Sequence, residues 1–221
     1  MKSRILITDF DGTITRRDFF TCVVEALLTP EDLEPWRLYT AGEISHFEAL
    51  RRIFAAIRAD EADLEEVMAS MEIDPGLRAG LSRLADTGWE VVVVSNGCRW
   101  YIDRLLSKAG VTVPVLANPG RFDPDRGLIM ELPESSPFFS PETGIDKGAV
   151  VEGHRRGGAA VAFAGDGRPD VAPALLVPPE RRFARQWLAG HLQAEGHPYR
   201  LFDRWSEIPS MLAAPDAEVS P

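Results

Sequence analysis

The chain opens on a short aliphatic block, Arg4 to Thr8 (RILIT), that stops abruptly at Asp-Phe-Asp-Gly-Thr. A continuous apolar run this short, closed by turn-forming residues, predicts a buried strand followed by a polar turn. From Arg16 to about Met71 the pattern changes. Apolar residues recur at three- and four-residue spacing in DFFTCVVEALL, SHFEALRRIFAAIR and EADLEEVMASM, punctuated by Thr29-Pro30 and Gly42. That period is helical, and residues 16–74 are expected to form an all-helical insertion. PGLRAGLSRLADTG continues as a helix, with Gly88 placed to end it. Trp89 to Ser95 (WEVVVVS) is the most strand-like run, apolar as a central parallel strand covered on both faces requires. Beyond it the pattern predicts a helix in CRWYIDRLLSKAG and a strand in VTVPVLAN. GLIMEL reads as a hairpin strand inside the Pro- and Gly-rich stretch 117–145. Then come a short helix in KGAVVEGHRRGG, a buried strand in AAVAFAGD, a short strand in RRFAR and a helix in QWLAGHLQAEG. Residues 214–221 (APDAEVSP) are expected to be disordered.

Short apolar strands alternating with helices predict an α/β fold of three layers with a mostly parallel sheet. Residues 1–15 and 75–213 would form this core, with 16–74 set apart as a small helical unit. In such folds ligands bind beyond the carboxyl ends of the strands. Three strands end in polar clusters: Asp9-Phe10-Asp11, Ser95-Asn96-Gly97 and Gly165-Asp166-Gly167. A parallel sheet would bring all three to one edge.

Charge narrows the range of partners. The chain has 24 basic and 34 acidic residues, a net charge of −10. That argues against a general nucleic-acid binder, which needs clustered Lys and Arg, and against a binder of anionic membranes. It leaves an anionic substrate open, because one metal ion overrides the global field locally. Two cysteines, Cys22 and Cys98, cannot make a disulfide framework or a Cys-rich zinc site; Cys98 is expected to be a buried, inert thiol. The four histidines, His46, His154, His191 and His197, lack ligand spacing and are expected at surface or cap positions. No apolar run reaches the ~18 residues of a membrane span. MKSRILITDFDG reads as a strand rather than a leader, so a cytoplasmic protein, monomeric or homodimeric, is expected.

Asp9 and Asp11 alone would be turn residues. With Asp166 and Asp170 at the end of another strand, four carboxylates would meet at one sheet edge and repel. Such a cluster needs a compensating cation or protonation. Oxygen-only ligands suit a hard ion, and Mg²⁺ above all. Ser95, Asn96 and Gly97 could bind an anion through a hydroxyl and backbone N–H groups, or simply cap the next helix. Lys147, opening a helix in GIDKG, is by itself an ordinary solvated charge; beside an acidic, anion-binding edge it would neutralise the groups gathered there.

D-F-D-G-T-I-T, V-V-S-N-G, a lysine and G-D-G-x-x-D follow in that order within the stretch from Arg4 to Ala174. In this the chain resembles the haloacid dehalogenase (HAD) superfamily of Mg²⁺-dependent phosphohydrolases. The resemblance implies a Rossmannoid core with a helical type-1 cap. It also implies roles. Asp9 would be the nucleophile that forms an aspartyl-phosphate, and Asp11 the general acid and then base. Lys147 would hold Asp9 ionised. Ser95, with Gly12, Thr13, Asn96 and Gly97 around it, would bind the phosphoryl oxygens. Asp9, Asp166 and the Asp11 carbonyl would hold the metal. Asp170 would be a ligand directly, a ligand through water, or an orienter of Lys147. An aspartate at position 11 favours phosphoryl chemistry over dehalogenation, and the lack of lysine in residues 16–75 disfavours Schiff-base phosphonate cleavage.

The cap resembles the phosphoserine phosphatase branch, in which Asp18 would meet a substrate amine. Ile53 stands where a carboxylate-binding arginine is expected, leaving Arg51 or Arg52 as substitutes. A closer resemblance is to MtnX-like phosphatases. It rests on D-F-D-G-T-I-T, the acid at Asp18, RIF (Arg52 to Phe54) and FAR…PY…F (Phe183 to Phe202). It implies 2-hydroxy-3-keto-5-methylthiopentenyl-1-phosphate as substrate, with phosphoserine, phosphocholine and other small esters as alternatives. Members carry a Cys-rich segment where this chain has GRFDPDRGLIMELPESSPFFSPETG, without cysteine. Phe19, Phe20 and Trp36 either line an apolar pocket or pack the cap, and Arg99 reads as a solvated helix charge. A receiver-like phosphoacceptor is the non-enzymatic alternative. No GxxxxGK[ST] is present to support nucleotide binding.

Overall fold

Among the described residues the strands are β1 (Arg4–Thr8), β2 (Trp89–Cys98), β3 (Val115–Asn118), β4 (Gly120–Asp123), β5 (Gly127–Met130), β6 (Phe139–Ser140), β7 (Gly144–Ile145), β8 (Ala160–Gly165), β9 (Arg182–Ala184) and β10 (Arg200–Leu201); β1, β2, β3, β5, β8 and β9 are the expected ones, and the other four are short additions. The structure, a computed structural model, describes residues 3–213; the expectation for 214–221 lies outside the described residues. Six strands make one sheet in the order β10-β9-β8-β1-β2-β3, and every pair in it is parallel.

The helices are α1 (Phe19–Leu27), α2 (Glu34–Thr40), α3 (His46–Ala55), α4 (Glu61–Ser70), α5 (Leu77–Asp86), α6 (Arg99–Lys108), α7 (Lys147–Arg156), α8 (Val171–Leu175), α9 (Gln186–Ala194) and α10 (Ile208–Ala213). Alternation along β1 splits them into two layers. Leu6 joins a core with Leu77 and Leu84 of α5 and Ile102 and Leu105 of α6. Ile5 and Ile7 face the other way, onto Val150 and Val151 of α7 and Leu188 and Leu192 of α9. The expected three-layer α/β architecture follows. Trp205 ties the C-terminal segment to the sheet centre, its Nε1–H donating to Thr8 Oγ1 at 3.0 Å within the core.

Residues 16–72 leave and re-enter the core through adjacent stems. Thr15 bridges Ile73 antiparallel, Arg16 N–H donates to Met71 O at 3.0 Å, and Asp74 N–H donates to Ile14 O at 2.9 Å. Helices α1 to α4 lie between these stems. The sequence pattern did not reveal α2, because Thr29-Pro30 read as punctuation and a second proline, Pro35, follows it. Each proline instead sits in the first turn of a helical segment, where its missing N–H costs nothing.

The sheet departs from expectation in one functionally important place. β2 does not stop at Ser95 but runs to Cys98, and its pairing with β3 jumps from Val94↔Leu116 to Cys98↔Asn118. Four residues on β2 therefore span two on β3, which bulges Ser95–Gly97 out of the ladder. Cys98, not Ser95, occupies the N-cap of α6. GLIMEL supplies β5 of a hairpin with β4, and Gly127 at its turn packs so closely on the Phe54 carbonyl that a Cβ would come to 2.5 Å. The hairpin thereby braces the end of α3. Among the described residues no helix is long and apolar enough to cross a membrane.

Candidate active site

β1 pairs Thr8 with Val93 on one side and Ala164 on the other. This register sets the chain beyond β1 level with the ends of β2 and β8, so Asp9, Ser95 and Asp166 converge. Phe10 O then gathers the N–H groups of Thr13, Ile14 and Thr15, turning the chain tightly after Asp9. Gly12 completes the turn at φ +68°, and a Cβ there would overlap the Asp166 carboxylate. Only glycine meets both demands.

Asp9 is buried and its Oδ1 pairs with Lys147 Nζ at 2.7 Å. The same ammonium pairs with Asp170 Oδ1 at 2.7 Å. Asp170 Oδ2 accepts the N–H groups of Asp166 and Gly167, both at 3.0 Å. Asp170 thus holds Lys147 with one oxygen and shapes the Gly165-Asp166-Gly167 turn with the other. Thr13 Oγ1 donates to Asp166 Oδ1 at 3.1 Å. One oxygen each from Asp9, Asp166 and Asp170 lies within 4.8 Å of the others, an arrangement able to hold a metal ion.

Asp11 sits in different surroundings. Tyr101 Oη donates to its Oδ2 at 2.7 Å and the Ser95 hydroxyl does so at 3.3 Å. Phe19 N–H donates to Oδ1 at 3.1 Å. Gly97 lets Tyr101 in, since a Cβ there would overlap the phenol oxygen. Gly97 N–H also donates to Ser95 Oγ at 2.9 Å, fixing the serine on the bulge.

The electrostatics follow from this packing. Burial and then Asp170 push Asp9 well above the usual carboxylate range, although Lys147 opposes them. Burial and Asp170 likewise push Asp166 up to about 7. Burial lifts Asp11 to about 6, and the Tyr101 hydroxyl and Phe19 N–H limit the rise. Burial alone would lower Lys147, but Asp170 and Asp9 override it and raise the ammonium above its ordinary value. One lysine does not balance four carboxylates.

These groups open into a cavity of about 370 Å³. Its floor includes Asp9, Asp11, Ser95, Asn96, Gly97, Lys147, Asp166 and Asp170; its roof includes Phe20, Trp36, His46, Leu50 and Phe54. A larger cavity of about 580 Å³ lies behind the Thr13–Arg16 chain, between the stems, and contains none of the four clustered carboxylates.

Several predicted residues take other positions. The Gly12 N–H is occupied by Thr15 Oγ1 at 3.1 Å, and Thr13 faces Asp166 rather than the cavity. Asn96 lines the floor, but its Nδ2 donates to Ile145 O at 2.6 Å, two residues before Lys147. Asp18 reaches the cavity as the N-cap of α1, with Thr21 N–H on Oδ1 and Thr21 Oγ1 on Oδ2, both at 2.7 Å. Arg51 and Arg52 are not brought in. Both pair with Glu48 on the exposed side of α3, because Leu50 and Phe54 claim the face toward the cavity. Phe20 and Trp36 line the cavity, their rings 4.6 Å apart and tilted by 30°, whereas Phe19 lies beneath it stacked on Tyr101 at 4.1 Å. Arg99 is an exposed partner of Asp103. Cys98 is a buried thiol that burial pushes up to about 12.

Three contributors escaped the sequence reading. Tyr101 sat among core positions of α6, although a buried phenol always needs a partner. His46, expected at a surface or cap position, opens α3 among the helices of residues 16–74 and there lines the cavity; its i, i+4, i+8 relation to Leu50 and Phe54 was the available signal. Asn118, fully buried at the end of β3, donates from Nδ2 to Asn96 O at 2.8 Å and Thr143 O at 3.1 Å. Only tertiary structure reveals that role.

The haloacid dehalogenase-like hydrolase pattern matches residues 6–174, and the chain belongs to that family. Two of its relatives align over nearly the whole chain. A 2-hydroxy-3-keto-5-methylthiopentenyl-1-phosphate phosphatase of Microcystis aeruginosa (strain NIES-843 / IAM M-2473) is 26% identical over 97% of this chain and 100% of its own. A protein of the same name from Brevibacillus brevis is 25% identical over 99% of both chains. The fold matches that of a HAD family hydrolase from Salmonella enterica serovar Typhi, at a TM-score of 0.67 with 16% identity, covering 91% of this chain and 68% of that one. A phosphoserine phosphatase from T. onnurineus matches at 0.62 with 18% identity, covering 96% and 94%.

Proposed function

We propose that the protein is a Mg²⁺-dependent phosphomonoesterase that works through an aspartyl-phosphate on Asp9. The observation that carries this reading is the contrast between two carboxylates on one turn. Asp9 lies against an ammonium, and Asp11 lies against a phenol and a hydroxyl. Environments that differ in this way separate a nucleophile from a general acid.

The donor set fits a divalent ion. It is all oxygen, it gathers three carboxylates, and Asp9 and Asp166 carry raised pKa values in the presence of Lys147 alone. Asp9 and Asp166 would hold the ion, with the Asp11 carbonyl, while Asp170 stays engaged with Lys147 and the turn. Bound there, Mg²⁺ would neutralise phosphoryl charge and keep Asp9 ionised.

With Oδ1 on Lys147, Asp9 Oδ2 is the oxygen free to attack phosphorus. The ester P–O bond breaks, and its electron pair leaves with the organic oxygen, which takes the proton from Asp11. Asp11, now a carboxylate, then takes a proton from water. That water's oxygen attacks the phosphorus, the P–O bond to Asp9 breaks, and inorganic phosphate leaves. Lys147 neutralises Asp9 and the transferring group throughout. The Ser95 hydroxyl, held by the Gly97 N–H, can turn from Asp11 to a phosphoryl oxygen. The helices of residues 16–74 act as a cap that excludes water.

The roof favours 2-hydroxy-3-keto-5-methylthiopentenyl-1-phosphate, the methylthio enol-phosphate in the relatives' names. Phe20, Trp36, Leu50 and Phe54 present an apolar surface suited to a methylthio tail. Phosphoserine would need a cation for its carboxylate, yet Arg51 and Arg52 face away with Glu48. Both oxygens of Asp18, the candidate for the amine, already serve Thr21. Phosphate release from the enol-phosphate, phosphoserine, phosphocholine and p-nitrophenyl phosphate, with Mg²⁺ and with EDTA, tests the proposal. The enol-phosphate should be preferred and EDTA should stop release. Equal turnover of all four would remove the substrate assignment.

A further inference from the structure

His46 is the polar side chain among the cavity-lining residues of α3, one turn before Leu50 and two before Phe54. Its ring is wedged edge-on between Trp36 at 6.1 Å and Tyr39 at 5.2 Å, and its main-chain N–H is anchored on Glu142 at 3.0 Å. The flanking rings confine the side chain, and the main-chain bond fixes the start of α3. Nδ1 is shielded from solvent and has no hydrogen-bond partner among the described residues.

Burial first, and Lys147 second, push the imidazole down to about 4, so the ring is neutral and carries one N–H. A buried N–H without an acceptor is rarer in folded proteins than an unused acceptor. The proton therefore sits on Nε2, which has no partner among the described residues. With Asp18 and Thr21 engaged with each other, a neutral N–H donor among Phe20, Trp36, Leu50 and Phe54 suits an uncharged oxygen. It offers no charge to a carboxylate.

We propose that His46 is a specificity-determining residue whose Nε2–H donates to a carbonyl or hydroxyl oxygen on the organic part of the substrate. The apolar remainder of that substrate lies against Phe20, Leu50 and Phe54. The substrate class is thus a phosphomonoester with an oxygenated carbon near the phosphate and an apolar tail. This rests on the phosphatase reading above.

The test compares 2-oxohexyl phosphate with hexyl phosphate, which share a tail and differ in the carbonyl. The measured quantity is the ratio of their kcat/KM values, so intrinsic differences in leaving ability cancel between variants. One neutral hydrogen bond corresponds to about threefold to tenfold. In H46F and H46A the ketone preference should fall by that factor, through KM more than kcat. In H46Q, which restores an N–H donor, it should partly return. An unchanged ratio in both donorless variants overturns the proposal. So does an equal loss on both esters, which would mark His46 as a packing residue. If wild type releases no phosphate from either ester or from p-nitrophenyl phosphate, or if Asp9→Asn keeps full release, the phosphatase reading itself fails.

Discussion

Removing one oxygen atom from the floor of the cavity should retune Asp11. The Tyr101 hydroxyl donates to Asp11 Oδ2 at 2.7 Å, while the ring stacks on Phe19 at 4.1 Å with planes 14° apart. Tyr101→Phe keeps the stack and deletes the donor. A hydrogen bond to a charged group is worth about 1.5–3 kcal/mol, and each pKa unit corresponds to about 1.4 kcal/mol. The bond stabilises the ionised carboxylate, so its loss must raise the pKa, by about 1–2 units. Starting from about 6 in the metal-free protein, Asp11 should titrate near 7–8. Carbon-detected NMR titration of labelled aspartate in EDTA reads this directly, with Asp11→Asn to assign the resonance. Catalysis should follow in sign. A weaker acid stays protonated over a wider range, but water activation needs the ionised form. The acidic limb of the kcat profile should therefore move upward. A shift below about 0.3 unit, or a downward shift, would refute the view that this phenol sets the acidity of Asp11.

Other perturbations test separate parts of the molecule. His46 has a folded pKa near 4 against an unfolded value near 6.5, so the unfolded chain binds a proton that the native one refuses. Its contribution is present above pH 6.5 and is lost as pH falls toward 4, about 2 kcal/mol of it between pH 7 and 5. The raised Asp9, Asp11 and Asp166 carboxylates take up protons over the same range and work in the opposite direction, so urea titrations should show the change from pH 7 to pH 5 to be about 2 kcal/mol more favourable in His46→Gln than in wild type. Lys147→Met strips both Asp9 and Asp170 of their cation and should cost about 3–5 kcal/mol at pH 8. The cost should shrink at pH 5, where raised carboxylates protonate, as denaturant midpoints would show. Mg²⁺ at 100 times its dissociation constant should stabilise the protein by about 2.7 kcal/mol in thermal melts. Asp166→Asn should lose that response. Gly12→Ala should weaken it, because its Cβ would displace the Asp166 carboxylate.

Much of this was written in local pattern. Strands β1, β2 and β8 announced themselves as apolar blocks closed by Asp, Ser or Gly. A parallel sheet leaves such endings nowhere to go but one edge, so Asp9, Asp11, Ser95, Asp166 and Asp170 could be gathered before any geometry, whereas Lys147, at the start of a helix, joined them through the motif order of the family resemblance. What stayed hidden depended on contacts distant in sequence. The bulge that carries Ser95–Gly97 exists because β2 spans four residues against two of β3, which no periodicity encodes. Arg52 looked suitable by charge and position, but helix phase turned it toward Glu48. Gly12 and Thr13 looked like phosphate ligands by neighbourhood, yet they serve Thr15 and Asp166. The roof was legible only in part. Phe20 and Trp36 could be named as candidates, while His46 required the phase of α3 to be read together with the cavity.

The central claim is covalent chemistry at Asp9, and acid-quenched mass spectrometry tests it most directly. The protein would be mixed with Mg²⁺ and the methylthio enol-phosphate, quenched within the first turnover, digested and sequenced by fragmentation. The account predicts one phosphoryl group on the peptide spanning β1, localised to Asp9 and absent in Asp9→Asn, which should also release no phosphate. Phosphate release persisting in Asp9→Asn, or a phosphoryl group on Asp166 or Asp11 instead, would contradict it.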